Sequence, residues 1–134
     1  MPALQITSVI HGEDLRWMGT SHYRPARTGV LNLAQFAAHV IHGVTGGRVD
    51  AGYLPAGLPV TKAADGHYVP YVAGEPFDGV LVRNVSLQDA GNDPLLGAPI
   101  LDDGRVVTQY VPTADGEPFV APDKADNNTS IIFV

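Results

Sequence analysis

The sequence predicts a mostly β (α+β) fold of short strands, with one or two short helices and an extended N-terminal arm. Of the 134 residues, 45% are hydrophobic and only 16% are charged, which is enough apolar material for one core. Residues 50–83 contain a glycine or proline every few positions, and both residue types disfavour helices. Two dipeptides, Asp65-Gly66 and Asp78-Gly79, supply turns beside apolar runs. These observations favour strands joined by tight turns.

The first 28 residues are predicted to form the extended arm, and residues 29–134 a single β-rich domain. Leu4–Val9 alternates weakly and predicts a strand, whereas residues 19–28 are polar and rich in turn formers. Fully extended, the arm would reach roughly 90 Å at ~3.3 Å per residue. We expect it to become ordered on another chain. The alternative is that Leu4–Val9 is the first strand of the domain. The candidate binding residues of the arm are Leu4, Ile6, Val9, Leu15, Arg16, Trp17, Met18, Arg24 and Arg27.

A short strand followed by a short helix is predicted after the arm. Val30 to Leu33 fits a strand, and the apolar residues from Leu33 to Ile41 recur at helical spacing. Asn32 is positioned to cap the helix, and Gly43 lies just past its end.

The central region predicts a hairpin and a buried strand. Leu58–Ala64 and Tyr68–Val72 are apolar runs on either side of Asp65-Gly66, and Val80–Val82 reads as a core strand. Val85–Leu87 could prolong that strand after a bulge.

Three further strands are predicted in the second half of the chain. Leu95–Leu101 contains Gly97 and Pro99, so we expect only a short or edge strand there. Arg105–Val111 is rich in β-branched residues and has the strongest strand pattern. Ser130–Val134 is apolar and is expected to join a sheet or an interface, because exposed it would aggregate.

Composition and motifs argue against most kinds of chemistry. The net charge of −6 and eight scattered Lys and Arg residues argue against nucleic-acid binding, and no apolar run is long enough for a membrane span. The N-terminus lacks a secretory signal, and the absence of cysteine excludes disulfides and thiolate sites. His39 and His42 have no third metal ligand nearby, and Asp102-Asp103 is explained by a turn. We therefore predict no catalytic, cofactor or metal site, and no enzyme.

Several phrases, taken in order, resemble the head decoration proteins of tailed phages, the lambda-type capsid-stabilising family, and are most similar to those of actinobacterial siphophages. The resemblance covers nearly the whole chain. The phrases are Asp14–Gly19, Thr28–Leu33 with Phe36, Gly52–Val60, Gly66–Tyr71, Phe77–Leu81, Gly97–Ile100 and Ile131–Val134.

This resemblance implies a β-clip-like body that forms a homotrimer on the outside of an icosahedral head. Such proteins bind the phage major capsid protein at threefold and quasi-threefold positions and stabilise the head against the pressure of packaged DNA. The implied location is the virion surface, with the host cytoplasm during assembly. The arm would add a strand to a capsid loop. Trimer or capsid-base contacts would come from Tyr53, Leu54, Pro55 and Leu58.

A second class of function stays open from the sequence. A carbohydrate- or host-surface-binding module of a phage virion would also be β-rich and without catalytic motifs. Exposed tyrosine and tryptophan side chains on one face would favour that interpretation.

Overall fold

The computed structural model describes residues 13–19, 26–42, 44–45, 47–49, 51–88, 93–114 and 117–134. These residues form a mostly β fold, as the sequence predicts. Two 3-10 helices cover Leu33–His39 and Thr108–Tyr110. The strands are β1 (Arg27–Asn32), β2 (Val44–Thr45), β3 (Arg48–Val49), β4 (Tyr53–Leu54), β5 (Pro59–Lys62), β6 (Tyr68–Pro70), β7 (Gly79–Leu81), β8 (Val85–Ser86), β9 (Leu95–Leu101), β10 (Asp103–Val106) and β11 (Ser130–Phe133).

Five of the strands close into a small barrel in the order β1-β6-β5-β7-β9, with β9 pairing back onto β1. The pairing is antiparallel except between β1 and β6, which run parallel. Three two-stranded sheets flank the barrel: β2 with β3, β4 with β8, and β10 with β11, the last pair being parallel.

The predicted hairpin at Asp65-Gly66 is confirmed. β5 and β6 pair antiparallel, with Thr61 opposite Val69. Gly66 has a backbone φ of 87°, which residues with a side chain rarely adopt. The Asp65 carboxylate accepts a hydrogen bond from the His67 amide at 2.9 Å. The predicted core strand is also present, since every residue of β7 is buried.

The predicted helix forms in a shorter and tighter version. It is a 3-10 helix that ends at His39, and its N-cap, Asn32, makes no side-chain capping hydrogen bond. Of the predicted apolar face only Phe36 is buried, while Ile41 is exposed and pairs with Tyr53 instead. The competing strand partner explains the early end of the helix.

Two strand predictions need correction. β9 is not an edge strand: it is seven residues long and lies between β1 and β7. Pro99 is tolerated because β7 pairs only with the two residues after it, Ile100 and Leu101. The strand predicted for Arg105–Val111 ends at Val106, because the chain turns into the second 3-10 helix at Thr108.

Val85 and Ser86 do not prolong β7 but form β8, which pairs with β4. This pairing brings residues 53–54 and 85–86 together beside the barrel. The predicted C-terminal strand is confirmed as β11, which is tied to β10 with Ile131 opposite Gly104.

The core consists of two apolar clusters that share strands β7 and β9. Leu81 and Ile100 point into the first cluster, inside the barrel, with Leu31, Phe36 and Leu58. Their neighbours Val80 and Leu101 point to the other side, because successive strand residues face opposite ways. The second cluster also contains Trp17, Ala56, Phe77, Val82, Val106, Val111 and Ile131.

Candidate functional site

The segment 13–19, predicted to be part of an arm, packs on the outer edge of β10. The Trp17 carbonyl accepts a hydrogen bond from the Val107 amide at 2.7 Å, and the Gly19 amide donates to the Arg105 carbonyl at 2.8 Å. Met18 and Val106 form an antiparallel bridge. Residues 17–19 therefore extend the two-stranded β10–β11 sheet.

The Trp17 indole is only 1% exposed and belongs to the second apolar cluster. It approaches the backbone of Gly57, where a Cβ atom would lie 2.6 Å from the indole Cδ1. Gly57 has a φ of 88° and donates its amide to the Leu81 carbonyl at 2.6 Å. Among the described residues the buried indole Nε1 has no hydrogen-bond partner, so within this part of the chain Trp17 contributes through apolar packing.

The expectation that residues 13–19 belong to an arm that becomes ordered only on another chain is not met, because Trp17 packs in the core of its own chain. Residues 13–19 belong to the folded body, because the indole finds its apolar surroundings within its own chain. Leu4, Ile6, Val9 and Arg24 lie outside the described residues.

Arg16 is held at the surface by two neighbours. Its guanidinium donates to both carboxylate oxygens of Asp14, at 3.0 Å from Nε to Oδ1 and 2.7 Å from Nη2 to Oδ2. It also stacks over the Tyr110 ring at 4.7 Å from the centroid. The Arg16 side-chain hydrogen bonds lower the pKa of Asp14 from 3.8 to about 2.

The remaining described residues of the predicted arm differ in exposure. Leu15 is 43% exposed and Met18 is half-buried. Arg27 begins β1, where its exposed guanidinium forms a 2.8 Å ion pair with Asp102. Of these three, Leu15 and Arg27 present substantial surface to a partner.

The four predicted trimer or capsid-base residues divide into two kinds. Leu54 and Leu58 are buried in the first apolar cluster. Their direct role in this fold is therefore in the core and not at an interface, which corrects the prediction. Tyr53 and Pro55 are half-buried and line a surface cavity of about 220 Å³.

That cavity is one end of a surface groove, which we call the Pro112 groove. Pro112 lines three neighbouring cavities, of about 220, 180 and 330 Å³. His39 and Leu58 are shared by the second and third cavities, and Pro55 by the first and second. The groove thus lies between the 3-10 helix with residues 53–59 on one side and residues 110–114 and 117–120 on the other.

The far end of the Pro112 groove is apolar and open to solvent. Val72 is 62% exposed and Val120 is 56% exposed. Behind them Tyr71 contacts Phe77 edge-on at 5.5 Å between ring centroids and Phe119 at 5.9 Å. Burial, and secondarily Asp126 and Asp123, raise the pKa of Tyr71, whose hydroxyl donates to the Val120 carbonyl at 3.2 Å.

Sequence reasoning missed this groove. Its second wall comes from residues 110–114 and 117–120, which belong to a turn-rich segment without a strand or helix pattern. The available signal was the adjacent apolar pair Phe119 and Val120 in a proline-rich loop, because neighbouring apolar residues can form a surface patch.

Neither a metal-binding cluster nor a membrane-spanning helix is found among the described residues. Within residues 13–19, 26–42 and the other described ranges, no group of three or more His, Asp or Glu side chains could hold a metal ion. None of the helices formed by those residues has the length and apolar character needed to cross a bilayer.

Comparisons with protein-family profiles, with curated proteins and with solved structures found no significant match.

Proposed function

We propose that the chain is a decoration protein of a tailed-phage head, binding the outer surface of the mature icosahedral shell and stabilising it against internal DNA pressure. The observation that carries the proposal is the ordered set of phrases that resemble that family. Gly52–Val60, Gly66–Tyr71 and Phe77–Leu81 cover β4, the first half of β5, and the whole of β6 and β7. The resemblance thus falls on residues that build the barrel, and a β-clip-like body is the finer fold that we propose.

The proposed binding partner is the phage major capsid protein. The proposed oligomeric state is a homotrimer, bound at threefold and quasi-threefold positions of the head. The location is the virion surface, after assembly in the host cytoplasm. Three bodies bound together offer three attachment points, so weak single contacts combine into strong attachment.

The attachment mechanism changes because Trp17 belongs to the core. In the revised mechanism, Leu4–Val9 adds a strand to a capsid loop, where main-chain hydrogen bonds give affinity and side-chain pockets give specificity. Leu15 and Arg24 contact the capsid surface nearby. Residues 13–19 fix the point on the body from which this segment starts.

A deletion of residues 1–12 tests this mechanism. The truncated protein retains residues 13–19 and is expected to fold with an unchanged circular dichroism spectrum. Its apparent affinity for expanded, undecorated heads is expected to fall by roughly a hundredfold or more, because the added strand is lost from every chain of the assembly at once. Cosedimentation with heads over a concentration series measures this change.

The matched control carries Lys124→Gln, which removes one charge from an exposed turn but leaves the N-terminal segment intact. Full-strength cosedimentation of the truncated protein would contradict the arm mechanism. Failure of the full-length protein to bind any head preparation would contradict the proposed function itself.

A carbohydrate-binding role is the second candidate, and one observation favours it. Tyr53 and Tyr110 line the 220 Å³ cavity together with Asp14 and Asn84, a combination of aromatic and polar side chains that suits a sugar ring. Glycan-array binding that Tyr110→Ala abolishes, without binding to heads, would decide for this function.

A further inference from the structure

The Pro112 groove is an uncovered apolar surface in the described part of the molecule, and its charge pattern restricts what it can bind. The lining residues of its three cavities include two carboxylates, Asp14 and Glu117, and no lysine or arginine. The chain as a whole carries 14 Asp and Glu residues. An occupant of this groove is therefore apolar and free of acidic residues, because a carboxylate would lose its hydration beside Asp14 and Glu117 without gaining a positively charged partner.

The N-terminal segment has this composition. Residues 1–10, MPALQITSVI, contain no aspartate, glutamate, lysine or arginine. Leu4, Ile6 and Val9 are large and apolar, and short polar residues separate them. In an extended segment Leu4, Ile6 and Ile10 lie on one face, which can be buried in the groove, while the opposite face, which carries Val9 among polar residues, stays toward solvent.

The described chain begins at one end of the groove. Asp14 lines the first cavity together with Ile41 and Tyr110. The preceding residue, Glu13, accepts a hydrogen bond through Oε2 from the Asn84 amide at 2.9 Å, and Asn84 lines the same cavity. The twelve residues before Glu13 therefore start beside the groove.

The length of this segment is sufficient. Twelve residues span at most roughly 40 Å when extended. A domain of this size has a radius of gyration of roughly 14 Å, so the segment can follow the groove to its far end at Val72 and Val120.

We propose that residues 1–10 of the same chain dock in the Pro112 groove when the protein is free. The short tether favours this occupant over any other, because it holds the segment at an effective concentration in the millimolar range beside the groove. The docking covers Val72, Val120 and Phe119 and keeps the free protein from associating through them.

The inference stands apart from the proposed function, since it concerns the free protein. It adds one consequence if that function holds: Leu4–Val9 cannot pair with a capsid strand while it lies in the groove. Head binding then requires release of the segment.

Disulfide trapping tests the docking, because the natural chain contains no cysteine. Gln5→Cys or Ser8→Cys, each of which leaves the apolar residues of the segment intact, is combined with Ala114→Cys in the groove wall. The matched control pairs the same N-terminal cysteine with Ala125→Cys, on an exposed turn outside the groove. Oxidation of dilute protein is followed by non-reducing electrophoresis and mass spectrometry.

The expected result is an intramolecular disulfide with Ala114→Cys that forms at least tenfold faster than with Ala125→Cys. Equal rates for the two pairs would overturn the docking. Disulfide-linked dimers in place of the intramolecular product would show that a second copy supplies the segment, which would overturn the assignment to the same chain.

A second measurement needs no cysteine and avoids variants that fail to fold. Deletion of residues 1–10 is expected to increase binding of the dye ANS several-fold, and a synthetic peptide of residues 1–10 is expected to reverse the increase. Unchanged dye binding after the deletion would overturn the proposal. Neither test uses phage heads. A result that overturns the docking can therefore be distinguished from one that contradicts the proposed function.

Discussion

Trp17 shows how one side chain changes the mechanism. A large apolar residue in a polar, turn-rich stretch looks like an anchor for another molecule. The same residue becomes a core residue when its own chain offers a cavity, and Gly57 provides that cavity by having no side chain where the indole lies. The proposed attachment to a capsid therefore depends on residues other than Trp17.

The close approach of Trp17 to Gly57 makes a testable prediction. Gly57→Ala is expected to destabilise the fold by about 2–4 kcal/mol, because a Cβ there is strained at positive φ and also overlaps the indole. Gly66→Ala is the matched control: its φ of 87° is nearly the same, and a Cβ there meets nothing within 4 Å.

Chemical denaturation of both variants measures the two free energies of unfolding. The control is expected to lose about 1–2 kcal/mol from backbone strain alone. Equal losses for the two variants would mean that the indole does not occupy the space beside Gly57.

The Asp14–Arg16 pair makes a prediction about pH. The pKa of Asp14 is lowered to about 2 by the Arg16 hydrogen bonds, so the carboxylate stays charged at pH 3, where an ordinary aspartate is mostly protonated. Any stabilisation from the pair is present above the ordinary pKa of 3.8 and is lost as the pH falls through about 2.

Carboxyl NMR titration gives the pKa directly. Arg16→Gln is expected to return the pKa of Asp14 toward 3.8. A titration midpoint near 3.8 in the unmodified protein would show that the pair does not form in solution.

At the scale of single elements, the C-terminal strand β11 is divided between core and solvent. Ile131 is 4% exposed and packs in the same cluster as Trp17, whereas its neighbour Ile132 is 56% exposed. A buried and an exposed isoleucine can be neighbours in this strand, because successive side chains of a strand point to opposite faces.

This alternation predicts opposite outcomes for two identical substitutions. Ile131→Ala is expected to cost about 2–5 kcal/mol of stability, as for other buried large-to-small changes, while Ile132→Ala is expected to stay within about 0.5 kcal/mol. Thermal and denaturant unfolding of the two variants provide the comparison. A large loss for Ile132→Ala would indicate that a partner, such as a second copy, covers that face.

At the scale of the whole molecule, the two clusters are expected to unfold together. They lie on opposite sides of β7 and β9, so neither can lose its packing while the other keeps those strands in place. Small domains with such shared elements usually unfold in one cooperative step.

The single tryptophan makes this prediction measurable without labels. Trp17 fluorescence is expected to shift to longer wavelength at the same denaturant concentration at which the far-UV circular dichroism is lost. An earlier fluorescence change would show that residues 13–19 detach before the barrel unfolds, as in an arm.

The local pattern of the chain determined much of the fold. Glycine and proline spacing excluded long helices, Asp65-Gly66 set the hairpin, and the apolar runs of β7 and β11 marked buried strands. These features depend on backbone preferences and short-range contacts, which neighbouring residues specify. The composition also determined that any apolar groove in this chain would be poor in lysine and arginine.

Only the tertiary structure decided which apolar residues lie inside and which remain available to a partner. Trp17 and Leu58 looked like contact residues but are core, and Val72 and Val120 are exposed along a groove that no local pattern predicted. Each of these outcomes depends on residues that meet across long sequence separations, such as Trp17 with Gly57 and Tyr71 with Phe119. Burial is a property of such distant encounters, so neither the hydrophobicity nor the local spacing of a residue determines it.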